Sequence, residues 1–462
     1  MKGSKIFGLL LALAVLAVGF MLPTSEEITR NGVLSACVLI SVLVLLLSEA
    51  IPVALAALFG PTALILLRVA TPGQAFFGFS NHILYFILAS AVISHGLSST
   101  NLSKRMLCAM LRKFGGSVNS VVVGIMVCTA ILSALMSNVA TVLIFLPLCM
   151  DFIGIYDNEE DKRRTGRALM LALPISTGVG CVFTPAGSSL HLLVLGQLEQ
   201  LTGLTVPFLS WMLVGIPWVA FVLPIAILLV LKLNKPAPIS REKLDAFIKT
   251  LPSSEKFSFK EKYVLVVILS VLALWMIGTW FPRLQITAVA IIGITFLAAP
   301  GFEGLSWKDI EPKLPWTIIL LVGSFISMAN ALTITGAAAW ITNNVIPTSL
   351  NLPPIAIGFI AALVVFLLLL LVPLQPAVIP LLSIPFVALA GVANVNPIAI
   401  MMVLAFTVST SYLLPYESVP LLTYMKGYYK KSDLAKTSLL LQLWIGVVTA
   451  LWVPFIVGVL GL

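Results

Sequence analysis

The apolar run over residues 121–150 is interrupted near its middle by Ser137 and Asn138. A run of this kind belongs in the hydrocarbon of a membrane, where backbone polar groups must be paired within the protein. A hairpin of two helices that enters the membrane part-way and turns at these two residues meets this constraint. So does a single spanning helix whose two polar side chains bond to a neighbouring helix. The run by itself leaves both structures open.

Composition places the whole chain in a membrane. Of its 462 residues, 60% are hydrophobic and 10% are charged, whereas soluble domains carry about a quarter charged residues. A spanning helix needs about 20 apolar residues, so the apolar segments suffice for about 11 transmembrane helices besides re-entrant hairpins. We therefore expect an all-α polytopic protein in the lipid bilayer of the cell (inner or plasma) membrane. Its first span should be retained, because no small-residue cleavage site follows it.

The distribution of positive charge predicts the orientation of the chain. The formal net charge is +9, and all but three of the 27 basic residues fall in six clusters, at 2–5, 104–113, 162–167, 232–262, 308–313 and 426–436. Alternating spans place these clusters on one side, which is then the cytoplasmic side. We expect a cytoplasmic N-terminus and an extracytoplasmic C-terminus. The charge thus reflects topology, and no nucleic-acid partner is expected.

The pattern of apolar segments divides the chain into two similar halves. A first span and loop (1–32) precede repeat one (33–233), a cytoplasmic linker (234–261) and repeat two (262–462). Repeat one consists of a scaffold, a hairpin with a broken helix, and a span, at 33–113, 118–200 and 207–231. Repeat two consists of a scaffold, a hairpin, a broken helix and a last span, at 262–346, 355–391, 397–425 and 434–460.

Matching polar breaks support an inverted repeat. The break at Ser137 recurs at Leu374-Gln375-Pro376, and the break at 181–189 recurs at 412–418. An odd number of spans in each half would insert the two copies with opposite orientation. Inverted repeats with interrupted helices at corresponding places indicate a transporter whose site lies near the middle of the membrane.

The breaks also carry the chemistry expected of an anion site. Helix N-termini offer unpaired N–H groups and a partial positive charge, and four half-helices begin near Val139, Ser188, Pro376 and Ser418. We expect these ends to converge, with amide donors from Asn138 and Gln375. Oxygens that a cation would accept come from Ser133, Ser137, Asn138 and the Gly187 backbone. For each residue alone, an interhelical hydrogen bond is the simpler explanation.

Several motifs give the chain a resemblance to a known family. They are Ser48-Glu49-Ala50-Ile51-Pro52, Ser98–Arg105, Pro315-Trp316-Thr317 with Leu332–Gly336, Ser137-Asn138-Val139 and Thr184–His191. With these motifs the chain resembles the divalent anion:sodium symporter family of di- and tricarboxylate transporters. The resemblance implies an elevator-type homodimer with scaffold and transport domains. It also implies a sodium site in each repeat and an anion bound between the two hairpin tips, near Ser188, Ser189 and His191.

The family pattern is broken in four places. Val139 replaces a hydroxyl residue, Leu374-Gln375-Pro376 replaces the second Ser-Asn-Thr, His191 replaces an asparagine, and Glu417 stands where a small residue is usual. Ionisable groups within spans are costly and mark functional sites. Glu417 would hold a cation directly, carry a proton, or pair with a cationic partner such as His191. A satisfied core histidine is an equal alternative for His191.

The expected function is secondary active transport of di- or tricarboxylate anions, coupled to a cation. Sodium-independent exchange and proton coupling are the alternatives, and a channel or a purely structural membrane protein is disfavoured because two closed hairpins replace a continuous polar path. The sequence shows no catalytic triad, metal-ligand cluster or phosphate-binding loop, so we do not expect an enzyme. No cofactor is expected beyond Na⁺ or H⁺ as the coupling ion.

Overall fold

A computed structural model describes residues 2–25, 27–114, 116–250, 257–281, 283–299, 305–345, 352–372 and 374–462. Over these residues the chain forms helices joined by turns and loops, with one isolated bridge between Ser25 and Ile28. The prediction of an all-α protein is therefore confirmed. Thr348, which the predicted topology places on the extracytoplasmic side, and the linker residues Pro252 and Glu255 lie outside the described residues.

The first half of the chain begins with a group of helices that precede the first hairpin. They are α1 (Lys2–Met21), α2 (Arg30–Leu47), α3 (Val53–Leu66), α4 (Pro72–Ala75), α5 (His82–Ser98) and α6 (Leu102–Phe114). The hairpin and broken helix follow as α7 (Val118–Ser133), α8 (Asn138–Gly154), α9 (Glu159–Gly180), α10 (Ser189–Thr202) and the span α11 (Phe208–Asn234). Short 3₁₀ turns lie at Phe77–Ser80, Cys181–Phe183 and Pro185–Gly187.

The second half repeats this order after a linker helix. The linker helix is α12 (Arg241–Thr250). The second half begins with α13 (Phe259–Ile277), α14 (Ile286–Leu297), α15 (Trp307–Ile310), α16 (Trp316–Ile334) and α17 (Ala337–Val345). A 3₁₀ turn at Glu311–Lys313 precedes α16. The hairpin, broken helix and last helix are α18 (Pro354–Leu371), α19 (Gln375–Val392), α20 (Pro397–Thr410), α21 (Ser418–Tyr424) and α22 (Lys431–Leu460).

Seven helices in the described part of the chain are long and apolar enough to cross a membrane, or up to eight if the bent pair α5–α6 counts as one span. The remaining apolar helices are shorter, and the total of about 11 spans stays a prediction. Large apolar side chains point outward, for example Leu66 at 77% and Leu371 at 78% exposure. Such a surface is typical of a protein that faces lipid, because soluble proteins keep exposed apolar patches small.

Each hairpin packs against the broken helix of its own half. Helices α7 and α8 both contact α9, and α18 and α19 both contact α20. The two halves then meet, because α10 contacts α19 and α20. The broken helices form the centre of the molecule, where every residue from Ile398 to Thr410 is buried. The first break, at 181–188, is buried or half-buried, as non-helical backbone in a membrane requires, whereas the second includes the exposed Tyr416.

Two buried tryptophans on α11 fix the broken helices to the last helix. The Trp211 indole N–H donates to the Val182 carbonyl (3.0 Å), and the Trp218 indole N–H donates to the Thr449 hydroxyl (2.9 Å). The ring centroid of Phe406 lies 5.3 Å from each indole. Aromatic pairs at this spacing pack favourably, so α11 holds α9, α20 and α22 together.

Two helices extend beyond the predicted apolar segments. Helix α9 begins at Glu159, with Asn158 as its N-cap, although the apolar run begins near residue 168. Acidic side chains in a first turn favour helix because they complement the helix dipole. The helix therefore begins before the apolar run does. The linker likewise contains α12, an amphipathic helix of polar composition whose Lys243 ammonium contacts the Asp157 carboxylate at 2.6 Å.

Candidate functional site

The tip of the first hairpin is a capped helix N-terminus. Helix α7 ends at Ser133 and α8 begins at Asn138. The Ser137 hydroxyl accepts a hydrogen bond from the Ala140 N–H (3.2 Å), and the Ser137 N–H donates to the Ser94 hydroxyl on α5 (3.2 Å). Capping satisfies one of the N–H groups that a helix start leaves free. The others remain available to an anion.

Ser133, which is buried, and Asn138, which is half-buried, form a polar cluster behind this tip. The Ser133 hydroxyl lies 2.5 Å from the Asn138 Oδ1 and 2.8 Å from the Thr177 carbonyl oxygen on α9. The Asn138 Nδ2 donates to the Tyr412 hydroxyl across 3.4 Å. The amide of Asn138 therefore joins its own hairpin to the second broken helix.

The first broken helix supplies further oxygens to the same place. Helix α9 ends at Gly180, and α10 begins after Ser188, whose hydroxyl accepts from the Leu190 N–H (3.2 Å). The Thr184 hydroxyl donates to the Ala134 carbonyl of the hairpin tip. Ser189 opens α10 and is half-buried. The break thus brings hydroxyl and carbonyl groups against the turn that follows α7.

Gly187 fits between two carbonyl groups where no side chain has room. A Cβ atom there would lie 2.2 Å from the Cys181 carbonyl oxygen and 2.8 Å from the Ser133 carbonyl oxygen. Both distances are too short for van der Waals contact, so only glycine fits without a shift of backbone. Together with the Ser133 and Asn138 side chains, these carbonyls form a cluster of oxygens of the kind that hard cations bind.

His191 lies behind this cluster and is fully buried. Its Nε2 is 3.0 Å from the Ser409 hydroxyl, and its ring centroid lies 4.9 Å from that of Trp211. Its Nδ1 has no hydrogen-bond partner among the described residues. The sequence left open a pair with Glu417, a contact to substrate and a core histidine bonded within the protein. The structure places His191 against Ser409 in the core.

The tip of the second hairpin is built differently. Helix α19 begins at Gln375 after Leu374, which has no side-chain oxygen to cap it, and Pro376 occupies its first turn. The Gln375 N–H donates to the Glu417 Oε1 (3.1 Å). The Gln375 Nε2 donates to the Val408 carbonyl oxygen (2.8 Å). Glu417 thus caps α19, and the Gln375 amide is used within the protein.

The second broken helix runs from the end of α20 to the start of α21 and contains Tyr412. Tyr412 is 4% exposed, and its ring packs so closely on α9 that a Cβ at Gly178 would lie 2.4 Å from it. Glu417 is half-buried and precedes Ser418, the exposed first residue of α21. The Tyr412 hydroxyl accepts from Asn138, so the second break contacts the tip of the first hairpin.

A cavity of about 720 Å³ opens at the first tip. Ser137 and Val139 line it from the hairpin. Polar and charged side chains from other segments line it as well, namely Ser94, His95, Lys260, Asp309 and Lys313. The two lysines belong to basic clusters that the sequence places on the cytoplasmic side, and positively charged side chains attract anions. A ligand that enters this cavity reaches the N-terminus of α8.

The structure therefore gathers the predicted residues into two groups. The first tip brings together Ser133, Ser137, Asn138 and Gly187, with Ser188 and Ser189 in the next helix. The second brings Gln375, Pro376, Glu417 and Ser418 together. Five residues of the site could not be assigned to it from the sequence, namely Ser94, His95, Tyr412, Lys260 and Lys313. Of these, Tyr412 is the one whose place beside the second break is visible in the sequence.

Comparison with known proteins identifies the chain's relatives. The family model described as sodium:sulfate symporter transmembrane region matches residues 3–459. The chain is 25% identical over 445 residues to a "Membrane protein" of Cupriavidus necator, covering 89% of this chain and 84% of that one. It is 23% identical over 442 residues to "Sodium-dependent dicarboxylate transporter SdcS" of Staphylococcus saprophyticus, covering 90% and 84%.

A solved structure shares the fold. The Alcanivorax borkumensis YdaH transporter superposes with a TM-score of 0.57 at 14% identity, covering 85% of this chain and 89% of that one. The family match confirms the resemblance seen in the sequence, and relatives that are transporters agree with the expectation that this chain is not an enzyme. With its model matched from residue 3 to residue 459, the chain belongs to the sodium:sulfate symporter family of membrane transporters.

Proposed function

We propose that this chain is a secondary active transporter of small carboxylate anions, the class that contains the di- and tricarboxylates expected from the sequence. The observation that supports the proposal is the open first tip. There the N-terminus of α8 faces a cavity of about 720 Å³ whose wall carries Lys260 and Lys313. Free N–H groups and the helix dipole bind a carboxylate at such a place. The named relative from Staphylococcus saprophyticus takes a substrate of this class.

Coupling to sodium is the second part of the proposal. The oxygens around the first break come from Ser133, Asn138 and Thr177, and the Ser133 hydroxyl lies within 2.8 Å of the other two. The close approach of Gly187 adds backbone carbonyls. Na⁺ prefers oxygen ligands, as other hard cations do. A cation bound there would lie beside the α8 N-terminus and compensate the charge of the anion.

The transport movement and assembly are carried over from the family. We propose an elevator movement of the hairpins and broken helices against a scaffold, in a homodimer whose N-terminus is cytoplasmic and whose C-terminus is extracytoplasmic. The packing of α10 on α19 and α20 supports a transport unit built from both halves. The basic clusters support the orientation.

Uptake into proteoliposomes tests the function. The purified protein is reconstituted, and uptake of labelled butyrate, succinate and citrate is measured with an inward Na⁺ gradient, with K⁺ in its place, and in empty liposomes. We expect Na⁺-stimulated accumulation of at least one of these acids above the empty control. Absence of uptake for all three acids, with and without Na⁺ and with each acid also loaded inside, contradicts carboxylate transport.

Sodium-independent exchange or proton coupling is the second candidate. The observation that favours it is the second tip, where Leu374 offers no side-chain oxygen and Glu417 takes the capping role. Vesicles preloaded with unlabelled acid, or with an inward pH gradient, separate these modes. Uptake that needs internal acid but no Na⁺ indicates exchange, and uptake driven by the pH gradient alone indicates proton coupling.

A further inference from the structure

The start of α19 is capped from a distant part of the chain. An N-cap side chain normally accepts a hydrogen bond from its own first turn, and Leu374 has no atom that can do so. The Glu417 carboxyl, 42 residues further along, accepts from the Gln375 N–H instead (3.1 Å). The N-terminus of a helix favours an acidic group by its dipole. The position that an external carboxylate would take at this tip is therefore filled by the protein itself.

The surroundings of Glu417 leave no room for a second acid group. The space beside it measures about 20 Å³ and is bordered mainly by apolar side chains such as Phe366, Leu369 and Leu414. That is enough for about one water molecule. The Gln375 amide, the one polar side chain of this tip, is turned to the Val408 carbonyl oxygen. A substrate carboxylate thus finds no space beside Glu417, and the Gln375 amide already holds a partner within the protein.

The residues of this tip that border open space are apolar. Leu374, Leu371 and Val372 line a separate cavity of about 470 Å³. That cavity includes neither Gln375 nor Glu417 among its lining residues. At the first tip the arrangement is the reverse, because Ser137 is exposed and lines the cavity of about 720 Å³. The two tips are therefore unequal: one presents its donors to a ligand and the other does not.

Tyr412 and Glu417 belong to the same break, between α20 and α21. The Tyr412 hydroxyl accepts from Asn138 of the open tip, and the Glu417 carboxyl accepts from the Gln375 N–H of the filled one. The second break therefore reaches both tips. A substrate bound at Ser137 and Asn138 would direct a second acid group towards a position that already holds one.

We propose that Glu417 is a resident carboxyl group that fills the second anion position, so that the substrate contributes a single carboxylate group. The inference rests on the proposed function and narrows it. Monocarboxylates bind with their acid group at the first tip and their remaining atoms in the cavity. Dicarboxylates, which the relatives' name suggests, lose their second contact and gain like-charge repulsion.

The test compares acids that differ in one carboxyl group. Butyrate and succinate both have four carbons, and only succinate carries the second acid group. The binding affinities of both acids are measured at neutral pH on the full-length protein in lipid nanodiscs. The variants are Glu417→Ala, which empties the position, and Glu417→Gln, which keeps it filled and keeps an acceptor for the Gln375 N–H. Glu160→Gln removes an exposed acid of α9 and serves as the control.

Wild type, Glu417→Gln and Glu160→Gln should all bind butyrate at least as tightly as succinate. In Glu417→Ala the affinity for succinate relative to butyrate should rise by roughly ten-fold or more, which is the contribution of one recovered charge-assisted hydrogen bond. A wild-type protein that prefers succinate overturns the inference. An unchanged ratio of succinate to butyrate affinity in folded Glu417→Ala also overturns it. Neither result contradicts carboxylate transport. Binding of neither acid overturns the inference, and if uptake of citrate is absent as well, carboxylate transport is overturned with it. If Glu417→Ala fails to fold, the wild-type ratio of the two affinities decides between the outcomes.

Discussion

The side-chain amide of Asn138 donates to the hydroxyl of Tyr412, 274 residues away in the sequence, across 3.4 Å. This contact joins the tip of the first hairpin to the break of the second half. Tyr412 is itself held in place by close packing on Gly178 of α9. The polar groups of the two halves therefore form one connected site, and a change on either side of the contact should be felt on the other.

Asn138→Ala should raise the apparent KM for the transported acid by roughly ten-fold or more, since a buried hydrogen bond to a charged group contributes about 1.5–3 kcal/mol. The substitution removes the amide from the open tip and leaves the apolar faces of α7 and α8 intact. Uptake kinetics in proteoliposomes measure the effect, with thermal unfolding as the check on folding. A wild-type KM in a folded variant would show that the pocket lies elsewhere.

Gln375→Ala should lower stability and leave KM near the wild-type value, the reverse of what we expect for Asn138→Ala. Its amide bonds the Val408 carbonyl in the last turn of α20, where helix carbonyls lack partners of their own. Loss of a buried partner costs about 1–3 kcal/mol of stability. The Gln375 N–H that meets Glu417 is kept. We expect a lower midpoint of thermal unfolding with KM near the wild-type value, and a large rise in KM without loss of stability would contradict this assignment.

Gly187→Ala should abolish transport and lower stability, because the new methyl would lie 2.2 Å from the Cys181 carbonyl oxygen. Backbone on both sides of the break would have to move, and the oxygens of the first tip would move with it. Gly154→Ala, at the end of α8, is the matched control, since its methyl would meet no atom within 4 Å. Comparable losses in both variants would mean that crowding at Gly187 is not the cause, since the change from glycine to alanine by itself raises helix propensity.

The ion pair between Arg105 and Glu261 should contribute strongly to stability. Two bonds, at 3.1 and 3.2 Å, join the guanidinium to a carboxylate that is 4% exposed. Removal of one partner from a buried pair costs about 3–5 kcal/mol, because the other charge is left without its partner. Arg105→Ala should therefore lower the unfolding midpoint more than Arg105→Ala combined with Glu261→Gln. Equal midpoints would indicate that the pair is effectively solvated.

The orientation can be read with single cysteines. Asp245→Cys lies on the exposed side of α12 in the linker, and Gly73→Cys lies at an exposed position of the short helix α4. The native cysteines are all buried, so background labelling should be low. A membrane-impermeant maleimide should label position 73 from outside and position 245 only after the membrane is opened. Labelling of both positions from the same side contradicts the predicted topology.

The residue types at both hairpin tips made these turns visible in the sequence. A serine before Asn138 and a proline after Gln375 are residues that helix starts favour, and the structure starts α8 and α19 at these places. The partners of those starts could not be predicted in the same way. The bond from Gln375 to Glu417, the contact of Asn138 with Tyr412, and the lysines of the cavity all depend on packing between segments far apart in the chain.

The meeting of α7 with α9 bears on how a gate in this protein can open. A Cβ at Gly180 would lie 2.2 Å from the Ala130 carbonyl oxygen, so the two backbones touch with no side chain between them. Nothing flexible separates them, and a dense interior resists small deformations. A hinged flap would require the hairpin to peel away from α9 and leave that surface bare. The first hairpin is therefore better suited to travel with its neighbour as one block than to open alone.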